Sequence, residues 1–326
     1  MVDAICCALM HKQVVYIKAG GFMVKRAHSL LFVCLVVGSV EPFPVDYAAS
    51  YEITGHAKGN HATVAFLKNQ RSEEYVIKQI KKSEPLEQFQ LVVDMLCCHM
   101  AQFCSVPINE IICIPPGVAF VGKDHIQLPA TLHTRMPGIC LNRLDQTTLQ
   151  RFKQMDYQVH LVPDAVCMRY SVIRSIAQQR DLPKIAALDT FVGNTDRTPG
   201  NLIYDELTDH FYGIDLANAY RGSTMVSDAC KQLKVMIKKP VTVRFAERMA
   251  MQEYVATLRS LLYIFPPEKQ IALLVQFAQE AGFKDGSPLL DKKTKLRLYF
   301  HIKNIKKNYK DCEKLVELFD EFLNKS

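Results

Sequence analysis

The chain has 326 residues, of which 49% are hydrophobic and 22% are charged. This composition excludes a largely disordered chain, and it is sufficient for one large domain or for two lobes with separate cores. The net charge of +7 fits a polyanionic partner, but it also fits an ordinary soluble surface. The 11 cysteines are odd in number, and none are arranged at zinc-site spacing. We therefore expect a cytoplasmic, reduced chain in which cysteine acts as a small hydrophobic residue.

The N-terminal part contains an apolar run at residues 30–40, preceded by Lys25 and Arg26. The run is too short to span a bilayer. If translation began at Met23, residues 23–40 would resemble a signal peptide. The alternative is a buried strand, which we prefer because the unpatterned cysteines argue against export. Residues 1–47 are interpreted as an N-terminal extension.

Residues 48–136 have the pattern of a small α+β lobe. Glycine and asparagine at residues 55–60 separate two strand patterns and predict a hairpin, which a third strand follows. Leu91, Met95, Cys98 and Ala101 recur at helical spacing. The predicted elements are strands at 51–54, 63–67 and 74–80, a helix at about 86–103, apolar runs at 111–114 and 118–121, and a strand at 127–136.

Residues 137–326 are predicted to form a helical lobe that one short hairpin interrupts. The hairpin pairs residues 202–205 with 210–214. Apolar residues recur at helical spacing elsewhere in this part. The predicted helices cover residues 145–158, 166–179, 182–192, 246–263, 267–281 and 292–325.

The segment at residues 187–220 carries the most informative polar residues. Asp196 and Asn201 lie five positions apart in a loop, and the hairpin then returns the chain to Asp215. Asn201 and Asp215 offer the oxygen ligands that Mg²⁺ or Mn²⁺ prefers, and Asp196 is suited to orient or deprotonate an acceptor hydroxyl. This set predicts metal-dependent phosphoryl transfer, with turn formation as the structural alternative for each residue alone.

The sequence from Asp196 to Asn201, Asp-Arg-Thr-Pro-Gly-Asn, resembles the catalytic loop of phosphatidylinositol 3- and 4-kinases and of HipA-like kinases. Gly213-Ile214-Asp215-Leu216 is similar to the metal-binding segment that follows that loop in both families. Two departures stand out: Thr198 replaces the histidine of lipid kinases, and Leu216-Ala217 replaces the Phe-Gly of ordinary protein kinases. The resemblance implies a bilobal protein-kinase-like fold that uses ATP with Mg²⁺ or Mn²⁺.

Further positions are assigned by the same resemblance, which covers about residues 50–220. Lys78 in Val76-Ile77-Lys78 is similar to the lysine that contacts the α- and β-phosphates. The hairpin turn with Gly55 and Gly59 stands where the phosphate-covering loop belongs. Residues 131–136, with Leu132 and Thr134, resemble the hinge that binds adenine through its backbone.

Asp94 lies in an apolar stretch of the predicted helix, where a carboxylate is costly unless it is paired. Lys78 is the partner that we expect for it. Glu84 and Glu87, near the start of the helix, are the alternatives, although both also suit a helix N-terminus.

These observations leave three classes of function: a protein kinase, a phosphoinositide kinase, and a pseudokinase that acts as a binding module. The first is preferred, because the resemblance to HipA-like kinases favours a protein substrate. A divergent kinase of this kind also resembles the effectors that bacteria secrete into host cells. Nucleic acid is not favoured as a partner. The lysine-rich residues 231–239 and 292–310 predict instead a site for an inositol polyphosphate or an acidic lipid.

Overall fold

The structure is a computed structural model that describes residues 51–58, 62–80, 85–114, 119–121, 124–125, 130–144, 181–222, 225–238, 245–287 and 289–325. Elements are numbered along these ranges. Several predictions lie outside them: the extension at 1–47 with its apolar run, Gly59, Glu84, and the helices at 145–158 and 166–179.

An antiparallel sheet of five strands forms the N-terminal part, in the spatial order β1-β2-β3-β7-β4. Strand-forming residues alternate along each strand, which places one set on a small apolar core and the other set on the opposite face. Two further short strands, β5 and β6, pair with each other. The strands are β1 (Tyr51–Lys58), β2 (Ala62–Asn69), β3 (Glu74–Ile80), β4 (Ile111–Ile114), β5 (Ala119–Val121), β6 (Asp124–His125) and β7 (Ala130–Thr134).

Helix α1 (Pro85–Phe103) connects β3 to β4. It begins at a proline, which needs no hydrogen-bond partner at a first helical position. Its middle is buried almost completely, including Val92, Leu96 and Met100 at 0% exposure. These residues pack into the core of the helical lobe, so α1 joins the two parts.

The described residues of the C-terminal part form helices and one small sheet. Its three strands, β8 (Ile139–Cys140), β9 (Leu202–Asp205) and β10 (His210–Gly213), lie in the order β10-β9-β8. Helix α2 (Leu182–Val192) is followed by Gly193, whose left-handed backbone (φ 65°) suits a helix C-cap. The helices are α2 (Leu182–Val192), α3 (Met225–Ile237), α4 (Phe245–Ile264), α5 (Pro267–Glu280) and α6 (Lys292–Lys325).

Two apolar clusters lie under these elements. The smaller one belongs to the sheet and consists of Ala65, Leu67, Tyr75, Ile114, Ala130 and Leu132. The larger one contains the buried faces of α1 to α6. Among the residues described, no helix combines the length and the apolar character that a membrane span requires.

The chain passes between the two parts at Pro137-Gly138, where glycine is required. Gly138 has φ of 105°, which residues with a side chain rarely adopt. A Cβ atom built at this position would also collide with the carbonyl oxygen of Tyr204 on β9. The connecting segment at Gly138 therefore packs in direct contact with the β9–β10 hairpin, which precedes Asp215.

The predicted α+β architecture, a β-rich N-terminal lobe with one main helix followed by a helical lobe, is confirmed. Three details of the sequence prediction are wrong. The strand expected at 51–54 continues to Lys58, so Gly55 lies within β1 at a register irregularity and not in the turn. The strand expected at 127–136 has already ended before Arg135. Helix α3 was not predicted at all, because residues 231–239 had been interpreted only as a charge cluster.

Candidate active site

Lys78 on β3 lies between two carboxylates. Its Nζ atom is 3.7 Å from Asp94 Oδ2 and 3.6 Å from Asp215 Oδ1, with 20% of the lysine side chain exposed. Burial alone would lower the pKa of Lys78, but the charges of Asp215 and Asp94 outweigh it and raise the pKa. The sheet, helix α1 and the segment after β10 thus meet at a charged ammonium group.

Asp94 is 1% exposed and connects three elements. Its Oδ1 atom accepts a hydrogen bond of 3.0 Å from the Leu216 N–H and a weak one from the Cys98 thiol. Its Oδ2 atom has no hydrogen-bond partner and faces Lys78 beyond hydrogen-bond distance. Burial raises the pKa of Asp94, as does the nearby Asp215, while Lys78 lowers it. The hydrogen bond from the Leu216 N–H therefore holds the Asp94 carboxylate independently of its contact with Lys78.

Two polar residues of β7 lie beside Lys78 on its face of the sheet. Thr131 pairs with Lys78 in the sheet register, and His133 lies two residues further along the same face. Asn109 Nδ2 is 2.6 Å from His133 Nδ1, and Thr131 Oγ1 is 2.9 Å from His133 Nε2. Burial, and then the charge of Lys78, keeps the pKa of His133 well below its usual value. The imidazole is therefore neutral, and Lys78 has no competing cation there.

Arg197 holds the two loops of the site together. Its Nε and Nη2 atoms donate to the two oxygens of Asp189, each at 2.8 Å, in a bidentate pair. Its Nη1 atom donates to the carbonyl oxygens of Asn201 at 2.6 Å and Ile214 at 2.7 Å. One buried side chain thus connects helix α2, the loop of Asp196 and the residue before Asp215.

The loop from Asp196 to Asn201 is closed on itself. Asn201 Nδ2 donates to the Asp196 carbonyl oxygen at 2.8 Å, which leaves Asn201 Oδ1 as the acceptor atom of this amide. Asn218 Nδ2 donates to Asp196 Oδ2 at 2.6 Å and orients the carboxylate. Asn194 accepts from the Asp196 N–H and donates to Asp189. The position of the Asp196 carboxylate is thereby set by several hydrogen bonds.

The backbone around Asp215 has an uncommon conformation. Asp215 has φ of 61°, in the left-handed region, where aspartate is among the more tolerant residues. On one side, the Ile214 N–H donates to the Asn201 carbonyl oxygen. On the other, Tyr220 accepts at its carbonyl oxygen from Asn304 Nδ2 on α6. This turn is held at both ends, and 40% of the Asp215 side chain remains exposed.

The oxygen donors of the site fit a hard cation that phosphate also binds. Among the residues described, no group of three His, Cys, Asp or Glu side chains forms a metal cage. Asp215 and Asn201 lie on loops joined by the Ile214–Asn201 hydrogen bond, and both present oxygen. Mg²⁺ is commonly held by one or two such groups together with substrate phosphates and water. The donor set therefore suits a metal that arrives with a nucleotide.

Three residues predicted for adenine and phosphate contacts, Leu132, Thr134 and Gly55, lie within strands of the sheet. Leu132 is 2% exposed, and its backbone pairs with β3 on one side and β4 on the other. The N–H and hydroxyl of Thr134 are both bonded to Glu110. These groups are engaged within the sheet, and adenine binding by Leu132 and Thr134 stays a prediction. Gly55 lies in β1, as described above, and the side chain of Glu87 lies outside the description.

Four residues of this site were not predicted from the sequence as site residues: Asp189, Asn194, Arg197 and Asn218. Asp189 could have been found, because it lies in the apolar helix segment Ala187-Leu188-Asp189-Thr190-Phe191, where a carboxylate needs a partner. Arg197 was noted only as part of the loop motif. No local signal identifies Asn218, whose role arises from the turn after Asp215.

Comparisons with known proteins give distant similarities only. No protein-family model matches the chain, and no curated protein matches it in sequence. The crystal structure of the Helicobacter pylori proinflammatory kinase CtkA matches 85% of this chain and 96% of its own, at 11% identity and a TM-score of 0.43.

Two other solved structures show similarities of the same order. The Rio2 kinase–ADP/Mg²⁺–phosphoaspartate complex from Chaetomium thermophilum matches 81% of this chain and 71% of its own, at 7% identity and a TM-score of 0.35. The open conformation of CtTel1 matches 86% of this chain and 12% of its own, at 11% identity and a TM-score of 0.41. Since all three TM-scores lie below 0.5, the functional assignment rests on the site itself.

Proposed function

We propose that the chain is an ATP-dependent phosphotransferase whose acceptor is a hydroxyl group, in the first place that of a protein. The observation that carries this proposal is the position of the Lys78 ammonium, within 3.7 Å of both Asp94 and Asp215. Lys78 and Asp215 are far apart in sequence, and each belongs to a motif that resembles its counterpart in kinases. Their meeting in space is independent of that resemblance.

Lys78 would neutralise phosphate oxygens of the nucleotide, since an ammonium held between carboxylates keeps its charge and is restrained in position. Asp94 would restrain the lysine from behind, because its carboxylate is buried and fixed by the Leu216 N–H. Asp215 also lies 3.6 Å from the ammonium. Phosphate oxygens and a cation would replace that contact.

Asp215 and Asn201 would hold Mg²⁺, which would supply charge neutralisation on the transferring phosphoryl group. What the chain contributes is the fixed spacing of the two oxygen donors. Arg197 bonds to the carbonyl oxygens on both loops, so the two donors cannot drift apart without breaking a buried contact. Pre-organised positions of this kind account for much of the rate in phosphoryl transfer.

Asp196 would orient the acceptor hydroxyl and accept its proton. Asn218 bonds to only one of its oxygens, Oδ2, and the side chain is partly exposed. The other oxygen, Oδ1, is the natural acceptor for a substrate hydroxyl. We prefer a protein hydroxyl because Thr198 stands where lipid kinases have histidine.

The test is transfer of labelled phosphate from ATP with Mg²⁺ or Mn²⁺ to candidate proteins and to phosphoinositides. Asp215→Ala is expected to abolish transfer, and Asp196→Ala to retain nucleotide binding while losing transfer. Glu206→Gln is the matched control, since it removes an exposed carboxylate from the turn of the same hairpin. Normal transfer by both aspartate variants would refute the proposal. Labelled lipid without labelled protein would refute the choice of acceptor alone.

A further inference from the structure

The solvent face of the first half of helix α6 combines exposed apolar side chains with exposed lysines. Three large apolar residues are exposed there, Leu296 at 55%, Tyr299 at 56% and Phe300 at 45%. Exposed lysines follow them along the same face, at steps of three and four residues. We name this the basic-apolar surface and define it as Leu296, Tyr299, Phe300, Lys303, Lys306 and Lys310.

The charge on this half of the helix has one sign. Residues 292–310 contain no aspartate or glutamate, whereas residues 311–325 contain five acidic residues. Within the part of the chain that the structure describes, no carboxylate pairs with Lys303, Lys306 or Lys310. Since no carboxylate of the described residues neutralises these ammonium groups, the surface attracts anions.

The shape of the surface decides which anion fits. It lies along one convex helix and extends over about 21 Å, at 1.5 Å per residue. A free inositol phosphate needs donors that converge on it, and a single strand of nucleic acid needs a groove. A flat sheet of anionic headgroups meets a convex face directly. The boundary between headgroups and acyl chains of a membrane also accepts leucine, tyrosine and phenylalanine side chains. A soluble polyanion has no apolar region that would bind them.

We propose that the basic-apolar surface docks the protein on an anionic membrane surface. The lysines bind the headgroups, and Leu296, Tyr299 and Phe300 enter the interface between headgroups and acyl chains. The buried face of the same helix half packs on the turn after Asp215. His301 Nδ1 on that face lies 3.2 Å from the Tyr220 carbonyl oxygen, and the flanking Asn304 donates to the same oxygen. A docked membrane would therefore lie against the element that supports the metal-binding turn. The proposal does not depend on phosphotransferase activity.

The test is sedimentation of the full chain with phosphatidylcholine vesicles that either contain or lack phosphatidylserine. We expect binding to the anionic vesicles alone, and weaker binding as salt rises. Lys303→Gln combined with Lys306→Gln should weaken it about 25-fold at low salt, from about fivefold per lysine. Lys314→Gln with Lys325→Gln is the matched control, because it removes two charges from the acidic half of the same helix. It should change binding by less than about twofold.

A second pair of variants separates a membrane from a soluble polyanion. Tyr299→Ser with Phe300→Ser leaves the charge unchanged and should weaken vesicle binding at least about tenfold. Leu296→Gln serves the same purpose should that double variant fail to fold. If the serine variant binds as the parent does while the lysine variant does not, the membrane proposal is overturned in favour of charge alone. Displacement from vesicles by stoichiometric inositol hexakisphosphate, or by a single-stranded oligonucleotide, would overturn it as well.

Discussion

Replacing Asp94 with asparagine is expected to separate the catalytic and structural roles of this carboxylate. The amide oxygen can still accept the hydrogen bond of 3.0 Å from the Leu216 N–H, so the turn before and after Asp215 keeps its support. What is lost is the negative charge 3.7 Å from Lys78. Since the two side chains are similar in size, no cavity forms in the core.

The expected change in the free energy of unfolding is small because the attraction between Asp94 and Lys78 opposes the cost of burying the Asp94 carboxylate. At an effective dielectric constant of about 20, unit charges at this distance attract by about 4–5 kcal/mol. Burial of the carboxylate costs a comparable amount, which is also why burial raises the pKa of Asp94. We therefore expect the free energy of unfolding to change by about 1 kcal/mol or less. The restraint on the Lys78 ammonium falls, and kcat/KM for ATP should drop about ten- to hundredfold, equivalent to about 1.5–3 kcal/mol.

Urea unfolding followed by circular dichroism measures the first quantity, and steady-state transfer from labelled ATP measures the second. The matched control is Glu253→Gln, since Glu253 also lies 3.7 Å from its lysine, Lys184, but in a partly exposed pair. That variant should change neither quantity appreciably. A loss of more than about 3 kcal/mol in stability with unchanged kcat/KM would show that Asp94 only supports the fold, and the reasoning above would be refuted.

Three other perturbations have expected outcomes that follow from single contacts. Asp189→Ala leaves the Arg197 guanidinium buried without a counter-charge, and urea unfolding should show a loss of about 3–5 kcal/mol; a loss below about 1 kcal/mol would contradict the role of this pair. Gly138→Ala should lower the melting temperature more than Gly286→Ala does. Both glycines have positive φ, but a Cβ atom at Gly138 would collide with the Tyr204 carbonyl oxygen, whereas one at Gly286 meets nothing within 4 Å. Equal melting temperatures would contradict the close contact described at Gly138. Burial, followed by the charge of a nearby arginine, lowers the pKa of His301 from 6.5 to about 4. The unfolded chain therefore binds this proton at a higher pH than the folded chain does, and stability should fall by about 2 kcal/mol between about pH 7 and pH 5. His301→Gln should remove that part of the pH dependence, and a stability profile identical to that of the parent would exclude the histidine as its source.

The sequence predicted the contact between Lys78 and Asp94 because a carboxylate in an apolar helix segment must find a cation. The same reasoning applies to Asp189, but its partner Arg197 had been interpreted only as part of a motif. Glycine and proline residues predicted the positions of the loops. This rule gives the wrong result for Gly55, because a strand can continue through a glycine at a bulge.

Contacts that arise only when distant elements meet could not be derived from local pattern. The Arg197 side chain reaches the carbonyl oxygens of two different loops, and backbone groups leave no trace in a sequence. Leu132 and Thr134 are a second example. Leu132 pairs with a neighbouring strand and the Thr134 N–H donates to Glu110, and neither contact can be derived from the local sequence.

The separation of the two apolar clusters has a mechanical consequence for the site. Asp94 stands on a helix whose neighbours belong to the larger cluster, together with the turn that carries Asp215. Lys78 stands on a sheet with a small cluster of its own. Any rotation of the sheet over helix α1 would therefore change both lysine distances at once, while the hydrogen bond from Leu216 to Asp94 would stay within the larger cluster. Such a rotation would move one positive charge relative to two negative ones.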